Sequence, residues 1–218
     1  MFYHKSRYVE IYHADCREVI PRIDDKTVQV VITSGSLIRP ATLPLDYNMQ
    51  VLNLLRKPLI DRGVVFWHVI SDPKEFTDAA EKDGWVLADV INCGIEWVVA
   101  FAKQEDHIWA GEKNLVWEFP EDRTLNVCSN CGKPSVETKL PCECGCYRFI
   151  TFPGVFPERM VERCLDLVTE YFKFGVILDP FCGSGTVGVV GKKRLWRTIL
   201  IDKDELACEM SRLRTEAV

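Results

Sequence analysis

Short apolar runs recur along the chain, and more polar segments with helical spacing lie between them. Residues 28–32, 63–70 and 176–178 are runs rich in Val, Ile and Leu, which is typical of strands buried on both faces. Residues 51–60 and 73–83 carry apolar side chains at helical spacing. Strands that alternate with helices predict an α/β fold with a doubly wound, mostly parallel sheet.

The most informative segment is 176–186, with the sequence VILDPFCGSGT. An apolar strand places Asp179 at its carboxyl end, and Gly183 and Gly185 allow the backbone to turn tightly against a ligand. Thr186 then opens a helix whose N-terminus exposes unpaired N–H groups. A glycine loop alone is weak evidence, but a loop between a buried strand and a helix predicts a nucleotide-type cofactor site.

A second apolar strand over 197–201 supports this interpretation. It ends at Asp202, about 20 residues beyond the glycines, where a ribose-binding carboxylate is expected in this class of fold. The alternative is that Asp202 is the N-cap of a helix over 203–214. The two roles are compatible.

The string DPFCGSGT resembles motif I of the amino-methylating DNA methyltransferases. These enzymes move a methyl group from S-adenosylmethionine to the exocyclic nitrogen of adenine or cytosine. The resemblance implies a Rossmann-like methyltransferase fold and a cofactor site made of Asp179, Phe181, Gly183, Ser184, Gly185, Thr186 and Asp202.

The N-terminal part of the chain resembles the opening "GDC…TSPPY" of the beta class of that family, in which the catalytic half precedes the cofactor half. Residues 8–16 alternate as a strand does and end in Asp15 and Cys16, and the next strand ends at Thr33-Ser34. The resemblance implies that Asp15 faces the adenine ring of the cofactor, with the Cys16 amide beside it. From the residues alone, an Asp between a strand and a helix is more often only an N-cap; its order relative to the DPFCGSGT string favours the family role.

Residues 151–163 resemble the family's motif X, an HPxxFPxxLxxR pattern that closes over the methionine end of the cofactor. The resemblance implies cofactor contacts by Phe156 and Pro157. Pro157 suits the first turn of a helix, where its missing N–H costs nothing. The alternative is simply a packed helix with a proline start. Its apolar face at helical spacing is Val161, Leu165 and Val168.

The catalytic motif departs from the family pattern. Where these enzymes carry Ser, Asp or Asn followed by Pro-Pro and an aromatic residue, this chain has Ser34-Gly35-Ser36-Leu37. The resemblance implies that Ser34 accepts a hydrogen bond from the amino group under attack, and a serine here is more typical of enzymes that act on cytosine N4. Leu37 cannot stack on a flipped base, and such a stack is worth roughly 1–3 kcal/mol. We therefore predict bound cofactor but weak or absent methylation.

Two explanations of this departure stay open at the level of the sequence. The chain is either a natural relative that binds DNA or cofactor without methylating, or it carries a Gly-Ser replacement of the kind used in engineered linkers. The genuine residues of the encoding gene would decide between them.

The cysteines indicate a metal site. Cys128 and Cys131 form a CxxCG turn, and a CxCGC segment follows at 142–146. Two such turns aim four thiolates at one point and suit tetrahedral Zn²⁺. We assign Cys142 and Cys144 to complete the set, because Gly145 follows Cys144 as Gly132 follows Cys131, with Cys146 as the substitute. The alternative, a disulfide cluster, needs an oxidising compartment, and we find no signal peptide or long apolar span. We interpret the other five cysteines as core residues.

Length and charge set the remaining expectations. A chain of 218 residues accommodates one α/β domain with a small insert. We place the catalytic half at 1–120, a zinc-ribbon-like insert with a candidate role in target recognition at 121–150, and the cofactor-binding half at 151–218.

The net charge of −5 excludes DNA binding by bulk charge, so DNA contact would depend on local basic patches such as Lys133, Lys139 and Arg148. The expected partner is DNA, with no membrane, in the cytosol of a prokaryotic or viral host. The resemblance leaves room for a homodimer and a cognate restriction nuclease. The four histidines show no ligand spacing, and we interpret them as ordinary surface or core residues.

Overall fold

The computed structural model describes residues 2–35, 44–94, 96–104, 117, 125–135, 142–146, 148–152 and 155–218. Within these residues the strands are β1 Phe2–Lys5, β2 Val9–His13, β3 Val28–Ser34, β4 Leu59–Val69, β5 Val86–Asn92, β6 Trp97–Ala102, β7 Leu125–Cys128, β8 Pro134–Ser135, β9 Phe149–Phe152, β10 Val176–Asp179 and β11 Arg197–Asp202. The helices are α1 Cys16–Val19, α2 Leu45–Leu54, α3 Lys74–Lys82, α4 Glu158–Asp166, α5 Thr186–Lys193 and α6 Glu205–Glu216, and Ile20–Arg22 forms a 3-10 turn after α1.

The main sheet has eight strands in the order β1-β2-β11-β10-β3-β4-β6-β5. The five central strands, β2 to β4 in that order, pair in parallel, whereas β1, β6 and β5 pair antiparallel to their neighbours. The expectation of a doubly wound, mostly parallel sheet is therefore confirmed.

Helices cover both faces of this sheet. On one face, α4, α5 and α6 bury apolar side chains such as Val161, Val187 and Cys208. On the other, α1, α2 and α3 bury side chains such as Val19, Leu52 and Ala80. The motif X helix face is confirmed, because all three of its predicted apolar residues are fully buried: Val161, Leu165 and Val168.

The predicted helix over 51–60 is wrong in its extent. The helix α2 spans Leu45–Leu54, and β4 begins at Leu59. Pro58 explains the difference, because the residue before a proline is disfavoured in helical conformation and the helix must end beforehand. Residues 45–50 alternate between apolar or aromatic and polar side chains, so helical spacing is not evident at the start of this helix.

A second sheet has three strands in the order β8-β7-β9 and carries the first cysteine turn. Its Gly132 has φ +72°, and a Cβ at this position would overlap the backbone of Leu213 in α6. The cysteine segment is thus packed directly on the last helix of the main domain.

Two further features of the described residues concern the remaining cysteines and the lengths of the helices. The five cysteines outside the 128–146 segment are all buried, as predicted. Among the residues that the structure describes, no helix is both long and apolar enough to cross a bilayer.

Candidate active site

The carboxyl ends of the parallel strands meet at one edge of the sheet, and Asp179 lies at the centre of this edge. From β10 the chain passes through α5 to β11 on one side, whereas β3, on its other side, continues through α2 to β4. Such a reversal of direction opens a crevice where open α/β sheets bind ligands. Asp179 accepts hydrogen bonds from Thr33 Oγ1 at 2.7 Å and from the Phe181 N–H at 3.1 Å. Burial raises the pKa of its carboxyl to about 7.

The loop after β10 turns as tightly as its glycines predict. Gly183 has φ +49° and Gly185, the N-cap of α5, has φ +75°. A Cβ on Gly185 would lie 2.5 Å from Ser211 Oγ. The loop is therefore pressed against α6.

Arg214 of α6 holds this loop through hydrogen bonds, and this contact was not predicted from the sequence. Its Nη1 donates to the Ser184 carbonyl at 2.7 Å, to Ser184 Oγ at 3.1 Å and to Thr186 Oγ1 at 3.0 Å. Glu158 at the start of α4 lies 3.4 Å from its Nη2. Burial lowers the pKa of the guanidinium to about 10. The only sequence signal is an arginine on the apolar face of the last helix.

Asp202 lies at the end of β11, where the sequence placed it. Its Oδ2 accepts from the Gly183 N–H at 2.9 Å and its Oδ1 from the Asp204 N–H at 3.0 Å, and the Lys203 backbone also hydrogen-bonds the carboxylate. A carboxylate offers about four lone-pair sites, so acceptor capacity remains. Burial raises the pKa of this carboxyl. The N-cap interpretation is wrong, because Asp204 caps α6 by accepting from the Leu206 N–H at 2.9 Å.

Asp15 is engaged in local contacts. It is the N-cap of α1, accepts from the Arg17 N–H at 2.9 Å, and pairs with the Arg17 guanidinium at 2.8 Å. Tyr47 donates its hydroxyl at 3.3 Å. The hydrogen bond from the Arg17 side chain, above all, lowers the pKa of the carboxyl. The cap interpretation is confirmed, and the adenine-facing role of Asp15 and of the buried Cys16 stays a prediction.

Aromatic side chains border the crevice. The Phe181 ring lies 6.1 Å from that of Tyr47 and 5.8 Å from that of Trp67. Phe156 is buried, and its ring lies 5.5 Å from that of His68. Pro157 is the N-cap of α4, one residue before the first-turn position that we predicted.

Ser34 ends β3 beside the cofactor-type loop, and its side chain is part of a buried chain of polar groups. Its Oγ lies 2.9 Å from His68 Nδ1, and His68 Nε2 lies 3.0 Å from Glu96 Oε2. The prediction that His68 is an ordinary surface or core residue is therefore incomplete, because neither contact is evident from the sequence. Asp179 was identified as a polar residue at the carboxyl end of a buried strand. The same criterion would have identified His68, which lies near the end of β4. Ser36 and Leu37 of the altered motif lie outside the described residues.

A cavity of about 250 Å³ adjoins this end of the site. Gly35, Asn48, Trp67 and His68 contribute to its lining. Drug-sized ligands occupy pockets of about 300–1,000 Å³. A nucleobase is smaller than such a ligand, so this cavity has room for a single base.

The structure brings together the four cysteines that we assigned as ligands. The sulfurs of Cys128, Cys131, Cys142 and Cys144 lie within 4.8 Å of one another. Tetrahedral zinc with bonds of about 2.3 Å separates its sulfurs by about 3.8 Å, so the donor set fits this metal. Burial raises the pKa of Cys128 to about 12, and the backbone N–H of Cys146 lowers that of Cys144 to about 6.

The neighbours of this cluster bear on two further expectations. Cys146, the substitute ligand, has its sulfur near Ser129 Oγ at 3.7 Å instead. Of the candidate basic residues, Lys133 is paired with Glu143 at 2.5 Å, Arg148 is exposed, and Lys139 lies outside the described residues.

Comparison with known proteins decides the family. The model of the N6/N4 methyltransferase family, described as DNA methylase, matches residues 43–213. The chain belongs to this family. The fold is that of its solved members: the PvuII DNA methyltransferase (cytosine-N4-specific) superimposes with a TM-score of 0.74 at 15% identity, covering 96% of this chain and 87% of that one. The complex of M1.HpyAVI with SAM gives a TM-score of 0.60 at 17% identity, covering 94% and 99%.

Among curated relatives of this DNA methylase family, the type II methyltransferase M.ScaI from Streptomyces caespitosus is 34% identical over 104 residues. That alignment covers 47% of this chain and 28% of M.ScaI. The chain spans about a third or less of the length of the curated relatives it matches.

Proposed function

We propose that the chain is an S-adenosylmethionine-dependent DNA methyltransferase that acts on an exocyclic amino group, N4 of cytosine or N6 of adenine. One observation carries the proposal: the glycine loop with its two strand-end carboxylates and Ser34 lie at the same edge of one sheet. Thr33 bonds Asp179, and the next residue, Ser34, is the candidate contact to the base. Adjacent residues of β3 thereby connect the cofactor end and the transfer end.

The residues present fit this cofactor. Asp202 keeps acceptor capacity for ribose hydroxyls, because a carboxylate offers about four lone-pair sites. Gly183 and Gly185 carry no side chains that would keep a ligand away from the loop backbone. Asp179, Phe181, Ser184, Thr186, Phe156 and Pro157 would complete the pocket, with Asp15 and Cys16 toward the adenine. The bound cofactor supplies an electrophilic methyl group. The protein's part is to orient the amino nitrogen, with Ser34 Oγ as hydrogen-bond acceptor.

A second function, a methyltransferase-like protein that binds DNA and cofactor without turnover, is favoured by the Gly35-Ser36-Leu37 segment. Transfer of labelled methyl groups into unmethylated duplex DNA separates the two. Incorporation above the level of an Asp179→Ala, Asp202→Ala double variant supports the enzyme, and binding without incorporation supports the alternative.

Cofactor binding itself is tested by calorimetric titration of S-adenosylmethionine. We expect Asp202→Ala to weaken binding at least tenfold. Asp204→Asn is the matched control, because Asn is an equally good N-cap and α6 keeps its start. Equal affinities for the parent and Asp202→Ala would remove Asp202 from the site.

We also propose that Cys128, Cys131, Cys142 and Cys144 hold one structural zinc ion and that the 121–150 segment contributes to target recognition. Elemental analysis should find one zinc per chain, lost in Cys144→Ser and kept in Cys146→Ser. The reverse result would make Cys146 the ligand, and purified protein without zinc would end the proposal. By likeness to type II enzymes such as M.ScaI, duplex DNA and a cognate nuclease are the expected partners, and self-association is tested by sedimentation.

A further inference from the structure

Ser34, His68 and Glu96 form a continuous hydrogen-bonded chain that ends at the transfer site. Ser34 and His68 are register partners on β3 and β4, and Glu96 directly precedes β6, which runs antiparallel to β4. The exposed fractions of the three residues are 7%, 1% and 9%. Because polar groups cost free energy to bury unless they are paired, the contacts hold these side chains in a fixed arrangement.

The direction of the hydrogen bonds follows from what each group can do. An ionised carboxylate only accepts, so Glu96 selects the tautomer of His68 that carries its proton on Nε2. His68 Nδ1 then has a free lone pair and accepts the hydroxyl proton of Ser34 at 2.9 Å. The competing acceptor, the Gly35 carbonyl, is farther away at 3.5 Å. The lone pairs of Ser34 Oγ are thereby left for an incoming N–H group.

We propose that His68 and Glu96 are positioning residues that hold Ser34 as an acceptor and take up the proton that the target amino group releases; this rests on the proposed function. The amino nitrogen forms a bond to the donated methyl carbon while the methyl–sulfur bond of the donor breaks and its electron pair stays on sulfur. The nitrogen, now positively charged, loses one N–H proton to Ser34 Oγ as the hydroxyl proton passes to His68 Nδ1. Glu96 neutralises the resulting imidazolium.

The altered motif makes this arrangement more important. Gly35 stands where the resemblance places a proline, and a glycine fixes the following backbone acceptors poorly. The contact from His68 fixes Ser34 from the side of the sheet instead, and the Phe156 ring packs 5.5 Å from that of His68. The cavity described above is lined by Gly35 and His68, which are the sequence neighbour and the register partner of Ser34.

Among the described residues, four carboxyl groups lie on or near the elements packed around His68. Glu96 contacts it, Asp72 and Glu75 line the same cavity, and Asp179 lies across β3 with its Oδ1 bonded to Thr33. Glu96 is therefore the group whose removal should change the protonation of His68.

The first test is nitrogen NMR of the imidazole rings in the full chain, which needs no turnover. We expect His68 as the Nε2–H tautomer near neutral pH in the parent and in Ser34→Ala, and a lower His68 pKa in Glu96→Gln. His13→Gln, which removes a ring bonded to the Lys203 carbonyl, assigns the signals and serves as control. A His68 ring found as the Nδ1–H tautomer overturns the proposal.

The second test is the pH dependence of single-turnover methyl transfer into unmethylated mixed-sequence duplex DNA. We expect the parent rate to fall as His68 becomes protonated, Glu96→Gln to move this limb to lower pH, and Glu96→Gln and His68→Gln to lose at least tenfold in rate with unchanged cofactor affinity. Equal loss at every pH, with no shift of the limb, would mean that the chain of contacts is merely structural and would overturn the proposal. If neither the parent nor a variant with Pro-Pro-Tyr at 35–37 transfers methyl groups, the proposed function fails, and the imidazole spectra still decide the orientation of Ser34.

Discussion

The cofactor end and the transfer end of the strand-end crevice are built in different ways. The cofactor end is almost continuous in sequence: β10, the glycine loop, α5 and β11 follow one another between Val176 and Asp202. The transfer end is assembled from three separate segments: Ser34 and His68 lie on the paired strands β3 and β4, and Glu96 directly precedes β6 and reaches His68 through its side chain. The first end is therefore readable as a motif, whereas the second exists only in the folded chain.

The two ends should also differ in the amino-acid substitutions that they tolerate. The loop depends on backbone conformations that glycine alone adopts easily, so single substitutions there should disrupt it locally. The transfer end depends on complementary donors and acceptors, so its function should respond to exchanges that barely alter the fold. Substitutions in both regions test this contrast, and their expected effects on stability, binding or methyl transfer decrease in the order given.

The largest effect is expected at Gly185→Ala. The new methyl group would lie 2.5 Å from Ser211 Oγ at φ +75°, and overpacking together with the left-handed backbone should cost about 4 kcal/mol of unfolding free energy. Gly94→Ala is the matched control, because its φ is +86° but no atom lies within 4 Å of the added Cβ. We expect a loss of only about 1 kcal/mol there. Thermal unfolding and cofactor titration measure both, and equal losses would contradict the steric argument.

A pH-dependent effect is expected at Asp179→Asn. Burial raises the pKa of Asp179 from 3.8 to about 7, so the native state binds more protons than the unfolded state between these pH values. Stability of the parent without cofactor should therefore fall as the pH rises from about 4 to 7. The variant should gain about 4 kcal/mol at pH 8 and almost nothing at pH 4, while its cofactor affinity decreases. A gain that is constant with pH would show that desolvation of this carboxyl is not its source.

An intermediate effect is expected when the altered motif is restored. Gly35→Pro, Ser36→Pro and Leu37→Tyr together should raise methyl transfer roughly 10–100-fold, because a stacking ring is worth about 1–3 kcal/mol. A Cβ at position 35 would lie 3.3 Å from Trp67 Nε1, so a small adjustment is needed there. Leu37→Tyr alone isolates the stack. Equal robust transfer by the parent and the restored chain would remove the non-catalytic alternative.

The smallest effect is expected at Asp15. Asp15→Ala removes the cap of α1 and should cost about 1 kcal/mol of stability, whereas Asp15→Asn keeps the cap. If Asp15 also faces the adenine, Asp15→Ala should weaken cofactor binding about tenfold while Asp15→Asn changes it less. Calorimetry that finds all three chains equal in affinity would leave Asp15 as a cap and partner of Arg17 only.

The sequence by itself determined those parts whose partners are close along the chain. The strand, the loop and the helix at 176–193 and the carboxylate at 202 were predicted, because an apolar strand, glycines and a helix start must follow one another closely in such a turn. The grouping of Cys128, Cys131, Cys142 and Cys144 as one set of metal ligands was predicted in the same way, from the tight turns that hold the cysteines.

Only the tertiary structure decided contacts between distant segments. Apolar spacing says nothing about which strand lies beside β3, and so it could not bring His68 and Glu96 to Ser34. It likewise could not bring Arg214 to the loop 30 residues earlier. The physical reason is that a buried polar side chain is stable only with a partner, and sheet order, strand register and helix packing decide where that partner comes from.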